Sequence, residues 1–262
     1  EQLALEERML GQLYPGSLVS DGDKVYNVTA EGMVWTTIPF YVGEDKTKNM
    51  WTMYGNGAVY ATSIFGKEYE NNVECAIYND SEVIYSNGKL WTILVLDTGF
   101  SQTKILVAFD EKEGWKKVAD IPEEFEIVEG VTIGAYNGTI YLAGGFNTTT
   151  AACSTAVAGY NATENKWNKV ADLPEARAFS KAVQVGNQFV VTLGCGDVEG
   201  YPANLIFDGE KWTTSQAQVK DTAYQEYSYL NKEGKEQKKS YVDAQIGMAQ
   251  GSIIYVGNQV SG

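Results

Sequence analysis

The chain of 262 residues contains no histidine, and this absence removes much familiar hydrolytic and metal chemistry. Without an imidazole there is no Ser-His-Asp or Cys-His nucleophile system, no histidine base, and no His-ligated zinc, copper or iron. Arginine is nearly as scarce. Only Arg8 and Arg177 occur, too few for a sialidase-type cluster of three arginines on a substrate carboxylate. The three cysteines, Cys75, Cys153 and Cys195, lie at least 42 residues apart (195 − 153) with no Cys-x-x-Cys spacing. They predict neither a metal cluster nor a disulfide framework, and read as small hydrophobes buried in strands. Long apolar runs are missing as well: Leu90 to Leu96 is far short of the roughly 18 residues of a membrane-spanning helix, so no membrane insertion is expected. Basic charge is sparse, 20 Lys and Arg against 34 Asp and Glu for a net charge of −14. That balance disfavours phosphate backbones and anionic lipid, so nucleic acid is not an expected partner. No cofactor and no metal are expected.

What is present favours β-structure. Aromatics make up 12% of the chain, with 17 Tyr and 27 Gly, a composition suited to strands joined by tight turns. The length fits a single all-β domain. One segment departs from this: Leu3, Leu5, Met9, Leu10 and Leu13 among Glu and Gln predict a helix over 1–13, closed by Pro15-Gly16. The expected organisation is therefore an N-terminal helical or linker segment, 1–16, and a β domain, 17–262. Five Asn-x-Ser/Thr sequons begin at Asn27, Asn79, Asn137, Asn147 and Asn161 and are read mostly as composition.

The most informative pattern is an internal repeat. Trp-x-Lys-Val-Ala-Asp-(Ile or Leu)-Pro-Glu occurs at Trp115 to Glu123 and at Trp167 to Glu175, 52 residues apart (167 − 115). Trp35, followed by Pro39, predicts a decayed third copy, and Trp212 a fourth that lacks the proline. Turn pairs give an independent count of units: Asn56-Gly57, Asn87-Gly88, Asn137-Gly138, Gly186-Asn187 and the weaker Gln250-Gly251. Such pairs accept the positive φ of primed hairpin turns, and each is followed by a β-prone run. Five units are visible.

On these residues the chain resembles the kelch repeat, the unit of a β-propeller also found as the central domain of galactose-oxidase-like proteins. The resemblance rests on Asn137 to Gly145 with its closing Gly-Gly, then Tyr160, Trp167, Pro174 and Arg177, and on Gly194, Gly196, Phe207 and Trp212 in the next unit. It implies a propeller of four-stranded antiparallel blades, about five of them. The hairpin ending at Trp35 is expected to be the outer half of a blade and Ile246 to Asn258 the inner half, so that pairing of the two ends closes the ring. Departures are Leu96-Asp97-Thr98-Gly99 in place of a double glycine and the missing Trp after Asn56. Between Trp35 and Trp115 seven strand-like runs appear where two blades need eight. Lys232 to Lys239 reads as the solvated tip of an insertion.

In an up-and-down blade the strand two to three and four to one connections share one face, and long loops there carry binding residues. The candidate ligand-binding residues are Asp97, Phe100, Phe146, Asn147, Arg177, Asp197, Glu199 and Tyr201, with Tyr69 on the same type of loop. Aromatics beside amides and carboxylates suit a protein or glycan ligand. The resemblance implies protein interaction, and the missing histidine excludes copper chemistry of the galactose-oxidase kind. The leading expectation is a non-catalytic recognition module. A carbohydrate-active enzyme using carboxylates and tyrosines (isomerase, lyase or hydrolase) and a structural spacer are the alternatives. The Glu123, Glu124, Glu126 and Glu129 cluster reads as a solvated loop. Richness in Tyr, Asn and Thr suggests a bacterial exported or surface protein.

Overall fold

A computed structural model describes residues 16–29, 32–42, 45–53, 64, 74–77, 82–97, 100–198, 200–216, 224–249 and 251–256. The predicted helix over 1–13, the turn at Asn56-Gly57, Tyr69 and Glu199 lie outside them. The chain divides into two compact units, Glu1–Asn79 with Val83–Asp120, and Asp80–Glu82 with Ile121–Gly262.

In the first unit, β1 (Gly16–Ser20), β2 (Val25–Thr29), β3 (Val34–Val42) and β4 (Asp45–Met53) form a sheet in the order β1-β2-β3-β4, each strand antiparallel to the next. Trp35 thus lies on a third strand opposite Asn27 and Met53, not at the end of a fourth. Pro39 does not end the strand. It pairs with Asn49, while the β2 register stops at Thr36, so its missing N–H falls beyond that neighbour. The second sheet comprises β5 (Glu74–Ile77), β6 (Ile84–Ser86), β7 (Lys89–Asp97), β8 (Gln102–Asp110) and β9 (Gly114–Asp120). β5 pairs with Leu94 to Asp97 and β6 with Lys89 to Trp91. Two of the seven strand-like runs, 73–78 and 82–86, therefore share one strand position, and the run at 51–55 ends the fourth strand of the first sheet. The described residues of this region thus make one further blade and not two; the run at 58–65, apart from Ile64, lies outside them. Val34, Leu94, Ile105, Val107 and Trp115 are buried together in the core of this unit.

The second unit opens with α1 (Glu123–Glu126), a single turn anchored by the buried Phe125 where a solvated acidic loop is expected. Its first blade is β10 (Thr132–Tyr136) and β11 (Thr139–Ala143), then β14 (Val157–Asn161) and β15 (Lys166–Lys169), in the order β10-β11-β14-β15. The connection between β11 and β14 carries a small hairpin, β12 (Phe146–Asn147) with β13 (Ala152–Cys153). The next blade is β16 (Lys181–Val185), β17 (Gln188–Thr192), β18 (Asn204–Phe207) and β19 (Trp212–Ser215). Tyr136, Phe189, Val191, Leu205 and Phe207 form the core between these two sheets, with Tyr141 packed 5.2 Å from Phe189. Fully burying such side chains stabilises by roughly 1.5–3 kcal/mol each before entropy is counted.

Three blades share one device for the hairpin between their third and fourth strands. Phe109, Tyr160 and Phe207 face Trp115, Trp167 and Trp212 directly across the ladder. The residue after each first aromatic caps the turn: Asp110, Asn161 and Asp208 accept backbone N–H groups of Lys112 and Glu113, Thr163 and Glu164, and Glu210 and Lys211. The Trp115 indole donates to Gly32 O and that of Trp212 to Ala171 O, both at 2.8 Å. The tryptophans of the repeat thus tie an outer strand to a neighbouring segment.

Two further hairpins follow. β20 (Tyr224–Leu230) pairs with β21 (Glu236–Val242), and β22 (Gln245–Ala249) with β23 (Ser252–Val256). The lysine run is therefore mostly strand. Only its first part forms the turn, and Lys239 is half-buried, donating to Gly196 O at 2.9 Å. Among the described residues four sheets have the strand positions of a blade, against the expected count of about five. The N-terminal strands complete a sheet of four by themselves, because Trp35 sits one strand earlier than the repeat implies.

Candidate functional site

In the second unit, loop segments are joined in a belt of backbone bridges. Glu129 pairs with Phe146, Ser154 with Arg177, Ala178 with Cys195, and Gly194 with Val242. The double glycine of the repeat exists for this approach. A Cβ on Gly144, at φ +68°, would lie 2.2 Å from Arg177 O, and one on Gly194 would lie 2.2 Å from Ala178 O. Only glycine lets the backbones come this close.

The belt absorbs several of the predicted ligand residues. Phe146 is 1% exposed and packs with Ala178, Phe179 and Cys195. The Tyr229 ring stands edge-on to it at 5.1 Å, and the Lys239 ammonium lies 5.7 Å from its centroid. It is therefore core, not a ligand platform. Asn147 Oδ1 accepts the N–H groups of Thr149 and Thr150, so its amide shapes the β12–β13 turn. Arg177 is 3% exposed, and its guanidinium donates to Ala176 O, Ala203 O and the Glu175 carboxylate at 2.9–3.0 Å. It joins two connections while its edge borders a cleft.

That cleft, open and about 1110 Å3 in volume, is lined by Glu175, Arg177, Asp197, Tyr201, Thr214 and Ser215 among others. A second hollow of about 780 Å3 shares Gly196, Asp197, Val198 and Gly200 with it, and is bordered by Tyr224, Lys238 and Lys239. Tyr201 and Tyr224, 38% and 48% exposed, stand at the seam with ring centroids 5.6 Å apart. Val198 beside them is 85% exposed. Asp197 is anchored through Oδ1, which accepts the Cys153 N–H at 2.8 Å. The cleft thus gathers Arg177, Asp197 and Tyr201 of the predicted set and adds Glu175, while Tyr224 borders the adjoining hollow. Asp97 and Phe100 lie on the β7–β8 connection of the first unit, where Asp97 accepts from Gln102 Nε2 and Phe100 is fully exposed.

The hairpin β20–β21 covers the belt. Tyr227, Tyr229 and Tyr241 point inward, with Tyr241 stacked on Phe179 at 4.7 Å and Tyr227 at 5.0 Å. Alternation of exposed and half-buried residues along β20 is the sequence signal for this packing, masked by the neighbouring lysines. Burial pushes the Glu129 carboxyl up to about 7. Lys181, only 7% exposed, is bracketed by Glu82 at 3.2 Å and Asp243 at 3.4 Å. Cys153 and Cys195, read as separate small hydrophobes in strands, lie side by side, the Cys153 thiol donating to the Cys195 carbonyl oxygen at 3.9 Å. Among the described residues no group of three or more His, Cys, Asp or Glu is placed to hold a metal ion, and no helix is long and apolar enough to cross a membrane.

Among the described residues four antiparallel sheets, each a meander of four strand positions, define an all-β protein of the β-propeller class. Among solved structures the chain resembles that of YjhT, with a TM-score of 0.54 and 13% identity over 79% of this chain. The chain spans 66% of that structure's own length, just under two thirds. No protein-family profile matches the chain. No curated protein matches it either.

Proposed function

We propose that the chain is a non-catalytic recognition module, a kelch-like propeller that binds a glycan or a peptide in the cleft between Glu175 and Tyr224. The observation that carries this reading is the exposed Tyr201 and Tyr224 pair at the seam between the open cleft, with its carboxylates and hydroxyls, and the adjoining hollow. Aromatic faces stack on sugar rings or on peptide side chains, while Asp197, Thr214 and Ser215 supply oriented hydrogen bonds. The kelch-like character is supported by Gly144-Gly145, the facing aromatic and Trp pairs, and Arg177 at the blade junction. In the same reading β22 and β23 are two strands of a fifth blade, and the module works outside the cell.

Screening the chain on glycan and peptide arrays tests this. The expected outcome is saturable binding to a narrow ligand class, reduced at least tenfold in the Tyr201→Ala/Tyr224→Ala double variant, a change of about 1.4 kcal/mol. Retained binding in that variant, with its fold intact by circular dichroism, contradicts the cleft assignment. A second reading, a carbohydrate-active enzyme, is favoured by Glu129, whose carboxyl titrates near neutrality as a general acid or base requires. Turnover of a bound glycan that disappears in Glu129→Gln while binding persists distinguishes it.

A further inference from the structure

Cys153 and Cys195 are brought together by elements that make their pairing more than incidental. Cys153 ends the β12–β13 hairpin in one blade, and Cys195 follows Gly194 in the connection of the next. Ser154 and Cys195 pair with the adjacent residues Arg177 and Ala178, so both cysteines flank one short segment of backbone. Both Cys153 and Cys195 belong to the cluster around Phe146 and Phe179. The Cys153 thiol donates to the Cys195 carbonyl oxygen at 3.9 Å, and the two side chains interact electrostatically. Neither thiol is in a disulfide in this structure.

We propose that Cys153 and Cys195 form a redox site that reacts with small-molecule disulfides, Cys195 attacking and Cys153 resolving. The geometry assigns the roles. Cys195 lines the hollow it shares with Lys238 and Lys239, through which a small disulfide reaches it. The neighbouring Cys153 side chain, aided by nearby Lys239 and Arg177, holds the Cys195 thiol below its ordinary range against the effect of burial. Cys153 is pushed up, first by its interaction with the Cys195 side chain and then by burial, so it remains the protonated partner.

The chemistry balances as two exchanges. The Cys195 thiolate attacks one sulfur of the disulfide, forming a protein mixed disulfide and expelling a thiolate that takes up the proton Cys195 lost. Cys153, giving its proton to solvent, then attacks the Cys195 sulfur and expels the second thiolate, which takes a proton back from solvent. The protein gains an intramolecular disulfide and the small disulfide is reduced to two thiols. The cross-link joins the β12–β13 hairpin to the loop carrying Asp197, which already accepts the Cys153 N–H. Oxidation therefore acts on the floor of the cleft.

The test uses the full chain incubated with oxidised glutathione, followed by peptide mapping under conditions that trap free thiols. The expected result is a Cys153–Cys195 cross-linked peptide pair with no retained glutathione, and a rise in Tm of roughly 5–10 °C. In Cys153→Ser the glutathione remains on Cys195, and in Cys195→Ser Cys153 stays unmodified. Wild-type protein whose thiols both remain free, or which retains glutathione on Cys195, overturns the proposal. The wild-type mapping needs no variant, so a substitution that impairs folding leaves the test intact.

Discussion

At Gly144 the conflict between side chain and backbone is at its sharpest. An added methyl meets the Arg177 carbonyl at 2.2 Å and the residue sits at φ +68°, whereas Gly88, at φ +74°, has nothing within 4 Å. Gly144→Ala is expected to lose roughly 3 kcal/mol or more, from backbone strain plus displacement of a neighbouring connection. Gly88→Ala keeps only the strain, about 1–2 kcal/mol. Paired urea titrations of the two variants give the difference directly. Glu129 provides a pH signature. Its folded carboxyl titrates near 7 against an ordinary value of 4.5, so the folded state holds the proton more tightly. Stability from this group is full below about pH 4.5 and is lost as pH rises through 7. Glu129→Gln should remove that decline, so the variant gains on wild type between pH 5 and 7.5, and equal slopes for the two proteins contradict this. At this scale the sequence is least legible. Phe146, Asn147 and Arg177 carry the residue types of a binding site, yet nearby backbone groups and the Glu175 carboxylate claim the two polar side chains, and packing claims the ring. Composition cannot reveal whether a neighbouring carbonyl arrives first.

Hairpins whose turns carry their own chemistry were readable from the sequence. Asn87-Gly88, Asn137-Gly138 and Gly186-Asn187 all form the expected tight turns, with positive φ at Asn87, Gly88, Asn137, Gly138 and Gly186. The extent of β3 and β4 was not readable, because Pro39 reads as a terminator and the polar Lys46 to Asn49 run hides the first half of a strand paired on one side. The hairpin β20–β21 was hidden by its lysines, although Tyr227, Tyr229 and Tyr241 follow a period of two towards Phe146 and Phe179. If this hairpin is an integral cover, Tyr241→Ala should cost about 2 kcal/mol or more through the lost stack on Phe179. Amide exchange along Tyr224–Leu230 should then accelerate in parallel. Unchanged exchange and stability would show the hairpin to be merely appended.

For the molecule as a whole, fold and activity separate. Repeats fix the fold because each blade needs the same glycines, facing aromatics and turn caps, and three of the blades show the same Asx-capped hairpin. Recognition depends on what the blades do not share: Tyr201 in one connection, Tyr224 in an inserted hairpin and Asp197 held by the neighbouring blade. The two units also offer rival surfaces, the cleft in the second and the Asp97 and Phe100 loop in the first. The direct measurement is fluorine NMR of the chain labelled with fluorotyrosine and fluorophenylalanine, titrated with whichever ligand the arrays select. The account predicts saturable shifts of the Tyr201 and Tyr224 resonances with that of Phe100 unmoved. Shifts confined to Phe100, with both tyrosines silent, would contradict it.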